Sequence, residues 1–381
     1  MRINPILASL GAYPMARLQD KARALRAAGA PLLDFSIGDP REPTPGFIPD
    51  ALRAAIPEVS QYPTTAGLAS TRQAIADYVL RRFGVVVDPD TQVIPTAGSK
   101  EAIFSTPLAF VDASAGDVVI QATPGYPIYE RGALLAGARV HSVVLEDDFV
   151  FRSAMVPAEV WSDASMVWIN NPHNPTGSVM SFEDLSDFYE TARAHDVLLC
   201  ADECYVDLYE GAPPASTLQV ADDRLAGVLS FLSLSKRSGM TGYRAAAIVG
   251  DATAIEALKA LRSSTGTASP EFVQLAAEAA WADDTHVAPR REIFAAKRAV
   301  LKQAFEDLGY EAVASRAGLY LWVRVGDDVA ITERLLEANV VVSPGRAFGA
   351  GGEGYLRLAL VPTLEECKAA VKVVQSCLTG N

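Results

Sequence analysis

The sequence is poor in cysteine and has no long apolar segment. Its four cysteines are too few and too scattered for a disulfide framework, so we expect reduced thiols in a cytoplasmic protein: Cys200, Cys204, Cys367 and Cys377. No apolar stretch approaches the ~20 residues that a membrane-spanning helix requires. The residues from Met1 to Pro5 also lack the basic segment, apolar segment and cleavage site of a secretory signal.

Basic residues and histidines are scarce as well. Lysine and arginine total 33 against 46 aspartates and glutamates, which gives a formal net charge of −13, and there is no basic run. This balance argues against nucleic acid and anionic membranes as partners, and an anionic substrate would have to be bound by a few well-placed arginines. The four histidines show no metal-ligand spacing, and no metal is expected: His141, His173, His195 and His286.

The overall composition is typical of a soluble α/β protein. Half of the 381 residues are hydrophobic and 21% are charged. Between about residues 46 and 270, helical segments alternate with short apolar runs, which predicts a mostly parallel sheet covered by helices on both faces. These runs are Asp117–Gln121, Met166–Asn170, Val197–Ala201, Val228–Leu232 and Ala245–Val249.

The pattern differs on either side of this region. Residues 1–45 combine an amphipathic helix around Ala16–Ala28 with a turn-rich stretch, and we expect an N-terminal arm that forms part of a small domain. Residues 46–270 would form the large domain, and residues 271–381 the rest of a small α+β domain. The elements predicted for this last part are a long helix at about Phe272–Leu308, strands at Leu319–Val325, Asn339–Ser343 and Tyr355–Val361, and a helix at Leu364–Leu378.

Polar residues follow several of the predicted strands. The run that begins at Met166 leads into the polar stretch Asn170–Gly177. The run Val197–Ala201 leads into Asp202, and the run Val228–Leu232 leads into Ser233–Lys236. Ligands of parallel α/β sheets bind at the carboxyl ends of the strands. The side chains expected to gather at one edge of the sheet are Asn174, Asp202, Lys236 and Arg244.

Taken together, these motifs resemble those of the fold-type I aminotransferases, the class that includes aspartate aminotransferase. The matching motifs are Asn-Pro-x-Asn-Pro-Thr-Gly at Asn171–Gly177, Asp-x-x-Tyr at Asp202–Tyr205, Ser-x-Ser-Lys at Ser233–Lys236 with Arg244 eight residues on, and a late Arg-Leu at Arg357. The resemblance covers essentially the whole chain in the family's order. It implies an α/β fold like that of aspartate aminotransferase, in which a large domain with a mostly parallel seven-stranded sheet binds pyridoxal 5′-phosphate (PLP). The small α+β domain completes this fold.

The resemblance implies several roles around the ring of the cofactor. Lys236 would hold PLP as a Schiff base and would later carry a proton between two carbons. Asp202 would keep the pyridine nitrogen protonated, as the ring requires to act as an electron sink. Asn174 and Tyr205 would form hydrogen bonds to the phenolic oxygen, and Tyr126 would stack on the ring.

The resemblance also implies a phosphate site that two subunits share. Gly98, Ser99 and Lys100 precede a predicted helix at Glu101–Phe110, whose first N–H groups can face an anion. Arg244 is suited to a bidentate interaction with phosphate. The remaining residues implied for this site are Ser233, Ser235 and, reaching the phosphate of the neighbouring subunit, Tyr62. An obligate homodimer follows from the role of Tyr62.

An amino acid and a 2-oxo acid are the implied substrates. Arg357 would bind the α-carboxylate through its planar guanidinium group. Gly38 and Asn174 are also expected to contact the substrate, and Arg41 is a candidate for the distal end.

Two motifs match signatures of other protein classes, but the surrounding sequence lacks the features that those classes require. Gly349–Gly354 matches the dinucleotide pattern Gly-x-Gly-x-x-Gly, yet it leads into a predicted strand instead of a helix. Ser233–Lys236 also matches the Ser-x-x-Lys of serine β-lactamases, but no Ser-x-Asn or Lys-Thr-Gly accompanies it.

A PLP-dependent C–S lyase and a PLP-binding regulator of the same fold stay open as alternatives. A lyase normally has different residues around its lysine, and a regulator usually carries a DNA-binding segment.

Within the class, several segments resemble the succinyldiaminopimelate aminotransferases of lysine biosynthesis. These are the stretch from Asn4-Pro5 through Tyr13-Pro14, Ser36–Pro40 with Pro43–Pro45, Ser233–Ser238 and Ala280–Val287. Leu261–Gly266 and Asn171–His173 depart from the subfamily pattern. The resemblance implies transamination between N-succinyl-LL-diaminopimelate and 2-oxoglutarate. The first alternative is an aspartate- or aromatic-type aminotransferase, and the second is an LL-diaminopimelate aminotransferase.

Overall fold

The computed structural model describes residues 1–10 and 16–379. Tyr13 and Pro14, at the end of the first subfamily-like segment, lie outside the described residues. The helices are α1 Pro5–Ser9, α2 Ala16–Ala27, α3 Phe47–Ala55, α4 Ala69–Phe83, α5 Ser99–Ser105, α6 Pro107–Phe110, α7 Ile128–Ala136, α8 Ala158–Asp163, α9 Phe182–Ala194, α10 Leu234–Arg237, α11 Ala252–Thr265, α12 Glu271–Ala282, α13 Val287–Glu306, α14 Asp328–Glu337 and α15 Leu364–Leu378. The strands are β1 Leu33–Asp34, β2 Val93–Thr96, β3 Val118–Thr123, β4 Arg139–Val144, β5 Ala164–Asn170, β6 Leu198–Asp202, β7 Val228–Ser233, β8 Ala246–Gly250, β9 Glu311–Val313, β10 Tyr320–Arg324, β11 Val340–Val341, β12 Ser343–Pro344 and β13 Tyr355–Ala359.

Seven of these strands form the central sheet. Their order is β2-β8-β7-β6-β5-β3-β4, and within this sheet only β8 runs antiparallel to its neighbours. The prediction of a mostly parallel α/β sheet is confirmed. The five apolar runs identified in the sequence correspond to β3, β5, β6, β7 and β8, with ends that differ by one or two residues.

The core lies on both faces of this sheet because successive strand residues point to opposite sides. In β5, Val167 and Ile169 belong to one buried cluster, whereas Met166 and Trp168 belong to another. Because both faces of β5 are buried from Met166 to Ile169, this part of its sequence is a continuous hydrophobic run.

A second, smaller sheet is built from the C-terminal part of the chain. It is antiparallel, with the order β12-β13-β10-β9, and α13 packs against α15 beside it. The N-terminal segment joins this region, because β1 pairs in parallel with β11. Helix α12 packs instead against α3 and α4. The three domain boundaries inferred from the sequence stay predictions.

Two helices that the sequence predicts as continuous are interrupted. The one at about Phe272–Leu308 is α12 followed by α13, and the carboxylate of Asp283 accepts hydrogen bonds from the N–H and the hydroxyl of Thr285 in the break. Such local side-chain bonds compete with helical ones. The helix predicted at Glu101–Phe110 is α5 followed by α6, and Pro107 begins the second because it has no N–H to continue the first.

Over the two described ranges, 1–10 and 16–379, no helix has the length and apolar character needed to cross a bilayer. The same residues contain no group of three or more His, Cys, Asp or Glu side chains placed to hold a metal ion. All four cysteines are free thiols.

Candidate active site

The carboxyl ends of the parallel strands open into a cavity of about 260 Å³. Residues from both sheets and from the N-terminal segment surround it. The residues expected at the site that line this cavity are Gly38, Ser99, Lys100, Tyr126, Asn174, Asp202, Tyr205, Ser233, Ser235, Lys236, Arg244 and Arg357. Residues that are far apart in the sequence therefore meet at one place, as the strand-end argument predicts.

Lys236 presents an amine to this cavity. It lies on the short helix α10, directly after β7, where the hydroxyl of Ser233 accepts a hydrogen bond from the Ser235 N–H at 3.2 Å and starts the helix. The Nζ of Lys236 donates a hydrogen bond to the carbonyl oxygen of Gly38. Burial lowers the pKa of Lys236 to about 8, although the nearby carboxylate of Asp39 opposes the shift. The neutral, nucleophilic amine is therefore a minor form near neutral pH, but a far larger fraction than in an ordinary lysine.

Asp202 places a buried carboxylate at the end of β6. Its oxygens accept hydrogen bonds from the hydroxyl of Tyr129 at 2.7 Å and from the N–H of Cys204 at 3.2 Å. Burial raises the pKa of Asp202, and these bonds oppose the increase. Both donors are neutral, so a cationic group in the cavity would offset the cost of burying the carboxylate.

Arg357 lies on β13 and is buried, and its hydrogen-bond partners are neutral groups. It donates hydrogen bonds to the side-chain oxygen of Asn174 at 3.1 Å and to the carbonyl oxygen of Ser36 at 2.6 Å. Its guanidinium carbon lies 4.4 Å from the ring centroids of both Tyr320 and Phe348. The buried Nε has no hydrogen-bond partner within the described chain. None of these contacts supplies an anionic partner, so an anionic ligand in the cavity could form an ion pair with the guanidinium group.

Cations gather at another part of the cavity, where α5 begins. Burial lowers the pKa of Lys100, and the charges of Arg244 and Arg131 lower it further. Gly98, at φ +90°, precedes α5, and a Cβ atom there would collide with the guanidinium group of Arg244. Such a concentration of positive charge beside helical N–H groups suits a phosphate.

Tyr205, Gly38 and Tyr320 meet at the side of the cavity nearest the small sheet. The hydroxyl groups of Tyr205 and Tyr320 lie 2.9 Å apart in a hydrogen bond. A Cβ atom on Gly38 would lie 2.6 Å from the Tyr320 hydroxyl oxygen, so a larger residue would not fit there. Tyr205 is therefore oriented by a residue that no sequence motif indicated.

Tyr62 and Arg41 lie outside the cavity. Tyr62 is 99% exposed, and its role towards a neighbouring subunit stays a prediction. Arg41 forms an ion pair with Glu366 at 2.9 Å and lines a separate groove beside Asp39. The expectation that Arg41 contacts the distal end of a substrate is therefore not supported by its position.

Several cavity residues were missed in the sequence analysis. They are Gln19, Ser36, Ile37, Ile103, Cys204, Thr241, Tyr320 and Phe348. Tyr129, behind Asp202, was missed as well. No motif marked Tyr129, which lies in the first turn of α7, three residues after Tyr126. Tyr320 and Phe348 enter from the small sheet, and no local pattern marks them.

The family and the fold make the protein a PLP-dependent transaminase, and its cavity brings together a buried lysine, a buried aspartate and several cations. The family model for class I and II aminotransferases matches residues 30–374, and the chain belongs to this family.

Two solved structures and one curated relative illustrate the relationship. The chain is 38% identical over 380 residues to an LL-diaminopimelate aminotransferase of Desulforudis audaxviator, covering 97% of this chain and 96% of the relative. A Thermus thermophilus aspartate aminotransferase has a TM-score of 0.92 at 28% identity, covering 99% of this chain and 100% of the other. A probable N-succinyldiaminopimelate aminotransferase, also from Thermus thermophilus, has a TM-score of 0.90 at 27% identity, covering 96% and 100%. The fold is that of aspartate aminotransferase.

Proposed function

We propose that the enzyme transfers an amino group between LL-diaminopimelate and 2-oxoglutarate in diaminopimelate and lysine biosynthesis. The observation that carries the proposal is the 38% identity, over 97% of the chain, to a relative with that substrate in its name. The sequence motifs had favoured the N-succinylated substrate, but the relative named for it is only 27% identical. Transamination of N-succinyl-LL-diaminopimelate is therefore the second candidate.

When bound, PLP supplies an aldehyde carbon for attachment to amines and a ring that takes up the electrons released at the substrate α-carbon. The neutral amine of Lys236 is the group proposed to attach to the cofactor. Its Nζ, which faces the cavity, would also be the base that accepts the proton from the substrate α-carbon. The nearby carbonyl of Gly38 would hold this amine in the cavity between steps.

The other proposed cofactor contacts are assigned from the charge and hydrogen-bonding groups of the residues that line or border the cavity. Asp202 would form an ion pair with the protonated ring nitrogen, which removes the cost of its own burial. Asn174 and Tyr205 would donate hydrogen bonds to the phenolic oxygen, and Tyr126 would cover the ring. The proposed phosphate ligands are Gly98, Ser99, Lys100, Ser233, Ser235 and Arg244, with Tyr62 contributed across a homodimer interface.

Arg357 is proposed to bind the α-carboxylate that the amino donor and the 2-oxo acid share. Its guanidinium carbon lies 4.4 Å from the centroids of two aromatic rings, and it donates hydrogen bonds to neutral oxygens of Asn174 and Ser36. A preoriented planar donor of this kind loses little conformational entropy on binding a carboxylate. One arginine can therefore serve both half-reactions, whatever the length of the substrate side chain.

Steady-state kinetics with a panel of amino donors and 2-oxoglutarate tests the substrate. The panel comprises LL-diaminopimelate, N-succinyl-LL-diaminopimelate, aspartate, phenylalanine and alanine. We expect the highest kcat/KM for LL-diaminopimelate. A tenfold preference for another donor, or about 1.4 kcal/mol of transition-state binding, would reject the proposed substrate. Release of ammonia from a donor without any 2-oxo acid would instead indicate a lyase.

A further inference from the structure

Tyr129 lies directly behind the proposed partner of the ring nitrogen. Its hydroxyl donates a hydrogen bond of 2.7 Å to Oδ2 of Asp202, and each of the two residues is 4% exposed. The phenol ring is stacked on the indole of Trp168, with 5.1 Å between centroids and 13° between planes. Packing therefore leaves the hydroxyl little freedom to turn away from the carboxylate.

The same ring also supports Tyr126. The two rings meet edge to face, with 5.6 Å between centroids and 80° between planes. The backbone N–H of Tyr129 donates to the carbonyl of Tyr126 at 3.3 Å. Tyr126 lines the cavity, whereas Tyr129 does not. Tyr129 thus contacts two cavity residues without reaching the space that a ligand would occupy.

We infer that Tyr129 is a positioning residue, which holds the Asp202 carboxylate ionised and correctly oriented and holds the ring of Tyr126 in place. The inference rests on the proposed role of Asp202 towards the cofactor nitrogen. The role of Asp202 would then depend on the hydroxyl group of Tyr129, which lies outside the cavity.

The electrostatics around Asp202 agree with this function. Burial raises the pKa of Asp202, and the hydrogen bonds from Cys204 and Tyr129 oppose the increase. Burial and the charge of Asp202 raise the pKa of Tyr129 well above its ordinary value, so its hydroxyl remains a donor at physiological pH. The other titratable groups around this carboxylate and in the adjoining cavity are Cys204, Tyr126, Tyr205, Tyr320, Lys236, Lys100, Arg244 and Arg357.

The test is Tyr129→Phe, which keeps the ring and removes the hydroxyl. We expect the affinity of the apoenzyme for PLP to fall by about tenfold or more, the usual effect of losing a hydrogen bond to a charged group. We expect kcat to fall while KM for the amino donor changes little, because Arg357 is untouched. Without this donor the carboxyl binds its proton more readily, so the acid limb of the kcat profile should move to higher pH.

Tyr189→Phe is the matched control. Tyr189 is equally buried, at 7% exposure, and its hydroxyl accepts one hydrogen bond from the Asp222 N–H at 3.2 Å away from the cavity. It should lower the melting temperature at most, with an unchanged pH profile. A Tyr129→Phe enzyme with the PLP affinity and pH profile of the wild type would overturn the inference.

A parallel Asp202→Asn variant distinguishes the inferred role of Tyr129 from the proposed role of Asp202. Impaired Asp202→Asn beside a normal Tyr129→Phe rejects only the function of Tyr129. Normal PLP binding and turnover in both variants would reject the role of Asp202 itself. Impairment of both, with the pH shift only in Tyr129→Phe, supports the inference.

Discussion

Nη1 of Arg357 donates a 3.1 Å hydrogen bond to the side-chain oxygen of Asn174. Asn174 follows β5 of the central sheet, whereas Arg357 lies on β13 of the small sheet. The proposed phenolic-oxygen ligand and the proposed carboxylate ligand are thus in direct contact. A substrate bound by Arg357 would be held at a set distance from the cofactor ring, as positioning of reactants requires.

Lys236→Ala should abolish turnover while the protein still binds some PLP without a covalent bond. The reason is that the other cavity residues proposed to hold the cofactor remain. Reduction of the wild type with borohydride followed by peptide mapping should place the pyridoxyl label on Lys236. Lys302→Ala, at an exposed position on α13, is the control and should retain full activity. A label on any other lysine would contradict the assignment.

Uptake of PLP by the apoenzyme should depend on pH with a midpoint near 8. Burial lowers the pKa of Lys236 to about 8, so the reactive neutral amine is the minor form below that pH and the major form above it. The rate should therefore rise between about pH 7 and 9 and then level off. Stopped-flow absorbance after mixing apoenzyme with PLP measures this dependence. A rate that still climbs steeply above pH 10 would indicate an unshifted lysine.

Arg357→Lys should lower kcat/KM for both the amino donor and the 2-oxo acid by about 10- to 100-fold. Lysine keeps the charge but loses the planar donor and its place between two aromatic rings. The affinity for PLP should change much less. Arg324→Lys on the neighbouring strand β10, where the side chain is 46% exposed, is the matched control. Equal effects on the two variants would show that Arg357 has only a structural role.

Gly98→Ala should weaken PLP binding by about tenfold or more, because the added methyl group displaces a cationic phosphate ligand. Its Cβ would collide with the guanidinium of Arg244, while φ is +90°. Gly84→Ala has a comparable backbone conformation, at φ +72°, with no atom within 4 Å of the new Cβ. Both should lose thermal stability from backbone strain. Equilibrium titration with PLP distinguishes them, and equal affinities would mean that Arg244 is not needed there.

Local sequence predicted most of the central sheet and much of the cavity. Buried parallel strands are short and mostly apolar, so β5 and β6 were recognisable without any contact information. Their last residues are polar, and parallel strands end at the same edge. Asp202 and Lys236 could therefore be expected together before the structure was known. The residue roles themselves came from the family resemblance.

Other features depended on contacts that no local pattern records. The Asx turn at Asp283 interrupts a helix that periodicity alone would continue, and Arg41 lies outside the cavity, where it pairs with Glu366. Tyr320 is likewise visible in the sequence only as an apolar strand residue.

The sequence by itself thus determined the fold class, the strand-end position of the site and its lysine and aspartate, since period and polarity are local properties. Only the tertiary structure decided which side chains surround them. It stacked Tyr129 behind Asp202 and enclosed Arg357 between Tyr320 and Phe348. The first contact joins α7 to β6, and the second joins β10, β13 and Phe348, so each forms only when elements that are separated in the chain pack side by side.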